Sequence, residues 1–285
     1  SIPLYITEQM GIAQSKTGIV LASYAIALMF VRPFSGYMVD LYSRKKILLI
    51  SFSCYVLIFF GYFWATTVLI FIIVRFLHGI TWGLSTVSSS TLAIDVVPSE
   101  RRAEGIGFYG TFMNVAMAIG PFIAIHIYHE YSFQVLLWCA IGMGMLGILA
   151  VAFIKAPERP KVEREKLSLD RFFLIKGWPI FLNQLLPCFA WGTIGPFVAQ
   201  YGKQINIPNA GIFFLFWAGG IIASRIFAGK LVDKGKIHQV NISAMAIVAI
   251  ALIAFATIHN IYAFCISGLF IGIGVGMMFP ALQTL

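Results

Sequence analysis

The stretch SGYMVDLYSRKKILLI, at residues 35–50, gathers charged side chains between two long apolar runs. Its charged residues are Asp40, Arg44, Lys45 and Lys46. A similar stretch, AGKLVDKGKIHQV, occurs at residues 228–240, again with apolar runs on both sides. Because a chain that crosses a bilayer keeps its basic residues in short connections, the pattern indicates two equivalent loops of a membrane protein.

The composition of the chain agrees with this interpretation. Of the 285 residues, 60% are hydrophobic and only 11% are charged, whereas a soluble domain carries about 25% charged residues. The apolar runs are long enough for helices that cross a bilayer, which need roughly 20 residues each. They also lack the short alternating segments of a membrane β-barrel. We therefore predict an all-α polytopic protein embedded in the lipid bilayer.

Nine segments have the length and apolar character of membrane-spanning helices. They are residues 17–39, 46–66, 68–96, 105–128, 132–154, 178–201, 210–230, 238–258 and 260–285. The segment 155–177 differs because it is charged and contains two prolines. We predict that it links two membrane halves, at residues 1–154 and 178–285.

The basic residues between these segments indicate the orientation of the chain. Fifteen lie in connections on the side of the linker, and only Lys16 and Lys203 lie on the other side. By the positive-inside rule, the linker is expected in the cytoplasm and residues 1–16 outside. Topology thus explains the net charge of +9, and no basic surface with interleaved aromatic residues indicates nucleic-acid binding.

The two halves repeat each other at a constant offset of 193 residues. The offset relates Arg32, Gly36, Asp40, Gly79 and Gly83 to Arg225, Gly229, Asp233, Gly272 and Gly276. Charged residues and glycines paired at one offset indicate an internal duplication. A complete duplication predicts six spans in each half, with the first, eleventh and twelfth spans outside this sequence.

The first loop resembles the signature between helices 2 and 3 of the major facilitator superfamily. Gly36, Asp40, Arg44 and Lys45 match that signature, whereas Leu41 and Ser43 replace a basic residue and a glycine. GKLVDKGK is similar to the degenerate second copy between helices 8 and 9. The resemblance implies a transporter with two pseudo-symmetric six-helix halves, here helices 2–6 and 7–10, in a bacterial inner membrane.

In the superfamily this loop contributes to a charge relay that gates transport. Gly36 would allow two helices to approach closely, and Asp40 could pair with a base or accept backbone N–H groups. The resemblance implies a gating set of Gly36, Asp40, Arg44, Lys45, Asp95, Gly229 and Asp233. The alternative is that the basic residues only determine topology, which is our interpretation of Lys46.

Arg75 is the most costly residue within a span, at about 2.5–3.5 kcal/mol on insertion scales. It resembles the arginine of the helix-4 motif of the superfamily, which is associated with proton coupling, and Gly79 and Gly83 follow it. The alternative is an arginine that extends towards the outer membrane surface. His78 lies on the same helix face, where it would either assist coupling or substrate binding or serve packing.

Further candidates lie on the helices that line the central cavity in the superfamily. Gly107, Gly120 and Pro121 match an antiporter motif of helix 5, which implies export. The cavity candidates are Trp82, Ser85, Asn114, Asn183, Gln184 and Trp191. Each of these side chains could instead contact a neighbouring helix.

These observations predict a monomeric secondary active transporter that works by alternating access. It would export drug-like or sugar-like molecules in exchange for protons. The first alternative is an uptake permease or facilitator for a sugar or an organic anion. The remote alternatives are a non-transport membrane protein and a membrane enzyme, but no HExxH or GxSxG motif is present. Four isolated cysteines and the lack of an ATP-binding loop predict no metal and no cofactor.

Overall fold

The computed structural model describes residues 2–157, 178–233 and 237–283. Every regular element in these ranges is helical, as predicted. The α-helices are α1 (Ile2–Glu8), α2 (Gln14–Leu41), α3 (Arg44–Ile58), α4 (Val68–Val96), α5 (Arg102–Glu130), α6 (Phe133–Phe153), α7 (Trp178–Gln204), α8 (Ile212–Asp233), α9 (Ile237–Thr257) and α10 (Ile261–Gln283). Short 3₁₀ segments occur at Phe59–Trp64 and Ser99–Arg101.

The long helices occupy the nine predicted spans. Helix α4 coincides with the predicted span 68–96. Helix α3 ends at Ile58, before the predicted end at 66, and the 3₁₀ segment Phe59–Trp64 continues it, while the other helices differ from the prediction by a few residues at their ends. Within the described ranges, seven helices are long and apolar enough to cross a membrane, namely α2 to α6, α9 and α10. Helix α8 contributes a shorter apolar stretch at Ile212–Ser224. The predicted linker lies outside the described residues from position 158 onwards.

Polar residues at the ends of the apolar runs determine where several helices begin. Ser43 Oγ accepts from the Lys46 amide at 3.5 Å before α3. Thr67 Oγ1 accepts from Ile70 before α4, and Ser132 Oγ accepts from Val135 before α6. These caps satisfy amide groups that have no partner within their own helix. These helices therefore begin in the short polar connections, and the apolar runs that follow are available to span the bilayer.

The described chain forms two compact units. The first contains Ile2–Thr111 and helix α6, and the second contains Phe112–Glu130 and helices α7 to α10. Helix α5 therefore contributes its first part to one unit and its second part to the other. The predicted halves differ from these units in assigning all of α5 to the first half.

The internal duplication is present in the packing of both units. In the first unit, a Cβ at Gly79 of α4 would overlap the carbonyl oxygen of Tyr24 in α2. In the second unit, a Cβ at Gly272 of α10 would overlap the carbonyl oxygen of Trp217 in α8. Both residues of the second contact lie 193 positions after those of the first. Glycine therefore provides the same close backbone approach in each copy.

Candidate functional site

Arg44 connects the ends of three helices in the first unit. Its Nη1 donates to Asp95 Oδ1 at 2.8 Å and to the carbonyl oxygen of Thr91 at 3.0 Å. The side chains of Arg44 and Asp95 are only 11% and 13% exposed. Because the pair is charged, short and shielded from solvent, it is a strong contact between the start of α3 and the last turn of α4.

Asp40 contributes less to this cluster. Its Oδ1 lies 3.8 Å from Arg44 Nη2, and its side chain is 65% exposed. Exposed pairs of this kind stabilise proteins by only about 0–1 kcal/mol. Arg44 also reaches the end of α2 through a long contact of 3.5 Å from its Nε to the carbonyl oxygen of Val39. The sequence-predicted residues Asp40, Arg44 and Asp95 are thus brought together, with the Arg44–Asp95 contact dominant.

The remaining members of the predicted gating set lie elsewhere. Lys45 Nζ donates to the carbonyl oxygen of Ala152 at 2.8 Å, in the last turn of α6. A cation there satisfies a free helix carbonyl and interacts favourably with the helix dipole. The close approach expected at Gly36 is not found among the described residues, because a Cβ there meets none of their atoms within 4 Å. The surroundings of Gly229 and the side chain of Asp233 lie outside the described residues.

Arg75 lies against the neighbouring helix α2. Its Cζ is 4.3 Å from the centre of the Tyr24 ring, which is the geometry of a cation–π contact. Its Nε is buried, and no hydrogen-bond acceptor or carboxylate partner for it occurs within the described residues. The contact of Arg75 that the structure describes is therefore with a neutral aromatic ring.

His78 is only 2% exposed and is bonded through both ring nitrogens. Its Nε2 lies 2.9 Å from the carbonyl oxygen of Tyr55, and its Nδ1 lies 2.9 Å from the Tyr62 hydroxyl. The rings of Tyr55 and Phe59 pack against the imidazole with centroid distances of 4.5 and 4.6 Å. His78 consequently joins α4 to α3 and to the 3₁₀ segment that follows α3.

The cavity candidates are distributed unevenly. Ser85 is buried and donates to Ser51 Oγ at 3.0 Å, so it bonds a neighbouring helix. Trp82 packs against Tyr55 with ring centroids 5.3 Å apart, beside the His78 cluster. Asn114 is half-buried in the part of α5 that belongs to the second unit. The side chains of Asn183, Gln184 and Trp191 lie outside the described residues.

The helix-5 motif makes no close contact at Gly120 with the described residues. A Cβ at Gly120 meets no atom within 4 Å among the described residues. Pro121 lies inside α5, which continues to Glu130. Gly107 also lies in α5, but its surroundings are outside the described residues. Close packing of small residues is found instead at Gly79 and Gly83, where a Cβ would overlap α2.

The sequence profile described as Major Facilitator Superfamily matches residues 1–285. The chain belongs to the Major Facilitator Superfamily. The predicted membership, the all-α membrane fold and the function as a small-molecule transporter are thereby confirmed. The charge cluster around Arg44 lies where α2, α3 and α4 end or begin, and Arg75 lies in α4.

Two bacterial proteins and one solved structure are similar to the chain. It is 22% identical to the staphylopine export protein of Staphylococcus aureus over 97% of this chain and 73% of the relative. It is also 22% identical to the multi-drug resistance efflux pump PmrA of Streptococcus pneumoniae, over 100% of this chain and 74% of that protein. The crystal structure of a mutant of the nucleoside transporter NupG shares the fold, with a TM-score of 0.71 and 14% identity, over 98% and 75% of the two chains.

Three tyrosines that contact Arg75 or His78 were not predicted as site residues from the sequence, namely Tyr24, Tyr55 and Tyr62. They are hard to recognise because the chain contains 26 phenylalanines and 11 tyrosines. A comparison of the two copies at the offset of 193 residues distinguishes them. At 193 residues further on, Tyr24, Tyr55 and Tyr62 correspond to Trp217, Val248 and Phe255. At these three positions, hydroxyl groups therefore occur in the first copy and not in the second.

Proposed function

We propose that this transporter exports small organic molecules, drug-like or sugar-like, in exchange for protons. The names of the two bacterial relatives, an export protein and an efflux pump, support the outward direction. The excess of basic residues in the linker and adjoining connections supports an inner-membrane orientation with residues 1–16 outside. The protein would act as a monomer, since alternating access requires only the two halves of one chain.

The observation that carries this proposal is the environment of Arg75. A charged residue within a span is costly and is retained where it serves a pathway or a coupling site. Arg75 contacts the Tyr24 ring, and no carboxylate of the described residues forms an ion pair with it. An un-neutralised cation can bind a transient anion or alter the protonation of a nearby group during the transport cycle.

The cytoplasmic cluster supports a mechanism in which rigid groups of helices move. Arg44 bonds to Asp95 and to the carbonyl oxygen of Thr91, which joins the cytoplasmic ends of α3 and α4. Lys45 adds a bond to the end of α6. We propose that these contacts keep the helix ends together as a gate that opens and closes as a unit, which rigid-body alternating access requires.

A second candidate function is the transport of an organic anion, in either direction. It is favoured by the buried Nε of Arg75, which has no acceptor among the described residues. Buried donors are nearly always bonded, and a carboxylate or phosphate of a substrate would satisfy this one. In this case Arg75 would contact the substrate directly.

Replacement of Arg75 by alanine tests both candidates. The full-length protein would be reconstituted in liposomes with a pH-sensitive dye inside, and tetraphenylphosphonium, fluorescein and glucose would be offered as probes. We expect probe-dependent proton movement that falls at least about tenfold in Arg75→Ala, which corresponds to about 1.4 kcal/mol of lost interaction. The matched control is Arg32→Ala, because Arg32 is exposed on α2.

The outcomes separate the candidates. Arg75-dependent movement of fluorescein without proton movement would support the organic-anion transporter and exclude proton exchange. Proton-linked movement of tetraphenylphosphonium or glucose would support the exporter. Equal transport by Arg75→Ala and Arg32→Ala would contradict a functional role of Arg75 in either candidate.

A further inference from the structure

We infer that His78 acts as a conformational switch for the membrane span that begins with α3. While the imidazole bonds the carbonyl oxygen of Tyr55, the span ends as the 3₁₀ segment Phe59–Trp64. Without that bond, the same residues would continue α3 as an α-helix. This role goes beyond the proposed function and does not depend on the role proposed for Arg75.

Helix α3 changes to a 3₁₀ segment in the middle of an apolar span. The α-helix ends at Ile58, and Phe59–Trp64 follows without a break. The Phe59 amide donates to the carbonyl oxygen of Val56, three residues back, which is the 3₁₀ pattern. In a continuous α-helix this amide would donate to Tyr55, four residues back. The change of helix type therefore takes from the Tyr55 carbonyl oxygen its α-helical donor.

His78 of α4 supplies the replacement donor. Its Nε2 lies 2.9 Å from the carbonyl oxygen of Tyr55, and a carbonyl can only accept, so Nε2–H donates. Its Nδ1 lies 2.9 Å from the hydroxyl group of Tyr62, within the 3₁₀ segment. Backbone groups at membrane depth must be bonded within the protein. The ring of His78 thus contacts the span on both sides of the junction and satisfies the carbonyl that the 3₁₀ form exposes.

The second unit contains the equivalent span in the other form. Helix α9, Ile237–Thr257, corresponds at the offset of 193 residues to residues 44–64, and it is α-helical along its whole length. The residue that corresponds to His78 is Ile271, which has no side-chain donor. The copy with the histidine therefore has the 3₁₀ end, and the copy with the isoleucine has the continuous α-helix.

The backbone bonds that follow the two spans agree with this difference. The Ala65 amide donates to Tyr62, three residues back, at 3.3 Å. The equivalent amide in the second unit, of Ile258, donates to Ala254, four residues back, at 3.0 Å. The two copies thus retain different helix types up to the residue after each span.

The composition of the two span ends also differs. Residues 59–64 read FFGYFW, and the equivalent residues 252–257 read LIAFAT. Glycine and aromatic residues are weaker helix formers than leucine and alanine, so residues 59–64 have a weaker preference for the α-helix. Propensity does not bond the carbonyl oxygen of Tyr55, whereas His78 does. A weak local preference therefore allows one hydrogen bond to decide between the two forms.

Conversion to the α-helix would move the end of the span. A 3₁₀ helix rises about 2.0 Å and turns about 120° per residue, against about 1.5 Å and about 100° in an α-helix. Over the 6 residues of the segment, the span would shorten by about 3 Å and its end would rotate by about 120°. The rings of Phe60 and Phe63 pack against Trp138 of α6, with centroid distances of 5.9 and 5.2 Å. The rotation would break these contacts, so His78 on α4 controls how the span meets α6.

Distances between spin labels test the switch in the full-length protein, with its native cysteines replaced by alanine. One pair of labels replaces Ile50 and Trp64, which are both exposed. The reference pair replaces Ser243 and Thr257, the equivalent exposed positions of α9. From the rise per residue, the labelled backbone positions should lie about 24 Å apart in the first pair and about 21 Å apart in the second. Double electron–electron resonance measures both.

Three variants separate the hydrogen bond from helix propensity. His78→Ile copies the second unit and should shorten the first distance by about 3 Å, to that of the reference pair. His78→Gln keeps an N–H donor at the same position along the side chain and should retain the longer distance. Phe63→Ala introduces the alanine of the second copy while leaving His78 in place, and it should also retain the longer distance.

Several outcomes would overturn the switch. One is an unchanged first distance in His78→Ile, or in His78→Leu should the isoleucine variant not fold. Another is a distance in Phe63→Ala as short as that in His78→Ile, because propensity would then set the form. Equal distances for the two pairs in the protein with native His78 would also overturn it and require no folded variant. None of these distances depends on transport, so a failure of the proposed function would leave them unchanged.

Discussion

Replacement of Gly79 by alanine is expected to prevent α2 and α4 from packing and to remove most of the folded protein. The new Cβ would overlap the carbonyl oxygen of Tyr24 and lie 2.8 Å from Ala27 Cβ. A backbone carbonyl cannot move without displacing its helix, so the loss should reach or exceed about 3 kcal/mol, the upper end for overpacking. The measurement is the monodisperse yield and the apparent melting temperature after detergent extraction.

Two further variants make this prediction specific. Gly272→Ala should have a similar effect, because its Cβ would overlap the carbonyl oxygen of Trp217 at the equivalent contact in the second unit. Gly142→Ala in α6 should leave the melting temperature unchanged, since no described atom lies within 4 Å of its Cβ. A common melting temperature for Gly79→Ala and Gly142→Ala would show that α2 and α4 do not meet at Gly79.

The helical fold could be predicted because the relevant signal is local. Runs of about 20 apolar residues satisfy their backbone groups only as helices in a membrane, and the boundaries of α4 were predicted to the residue. Packing contacts depend on distant residues and were predicted less well. Gly36 and Gly79 are both repeated at the offset of 193 residues, yet among the described residues a neighbouring backbone lies close to Gly79 and not to Gly36.

In the candidate site, too, local signals were predicted better than contacts between distant residues. Arg75 and Asp95 were recognised because charges near or within apolar runs are rare in the sequence. The tyrosines that contact Arg75 or His78 were not predicted, because their hydroxyl groups add little to an aromatic pattern that serves packing throughout the chain. Their significance depends on His78, which reaches Tyr55 and Tyr62 only in the folded protein.

Comparison of the two copies separates residues required for the fold from those retained for another reason. Gly79 and Gly272 are identical because both copies need the same close helix contact. Arg75 is replaced by Gly268, which lies within 3.0 Å of the Phe213 backbone when given a Cβ. The second copy thus uses this position for packing, and the first copy uses it for a charge. The second copy folds without the costly charge of Arg75, so this charge is not a structural requirement of the repeat. This comparison supports the proposed function of Arg75.

Replacement of Asp95 by asparagine is expected to destabilise the first unit far more than the same change at Asp40. Asp95 lies 2.8 Å from Arg44, and both side chains are nearly buried. Asparagine retains the shape but leaves the Arg44 charge without its closest counter-ion. Hydrogen bonds to charged groups contribute about 1.5–3 kcal/mol, and a lower melting temperature in detergent would measure this loss.

Asp40→Asn is the matched control, because it removes a carboxylate that is 3.8 Å from the same arginine but 65% exposed. Its cost should be at most about 1 kcal/mol, the value for surface ion pairs. Combining Asp95→Asn with Arg44→Gln should cost less than the sum of the single changes, since each single change already breaks the shared contact. Additive losses would mean that the two residues stabilise the helix ends independently. In that event Arg44 would act through the carbonyl oxygen of Thr91, which remains available to it when Asp95 is replaced.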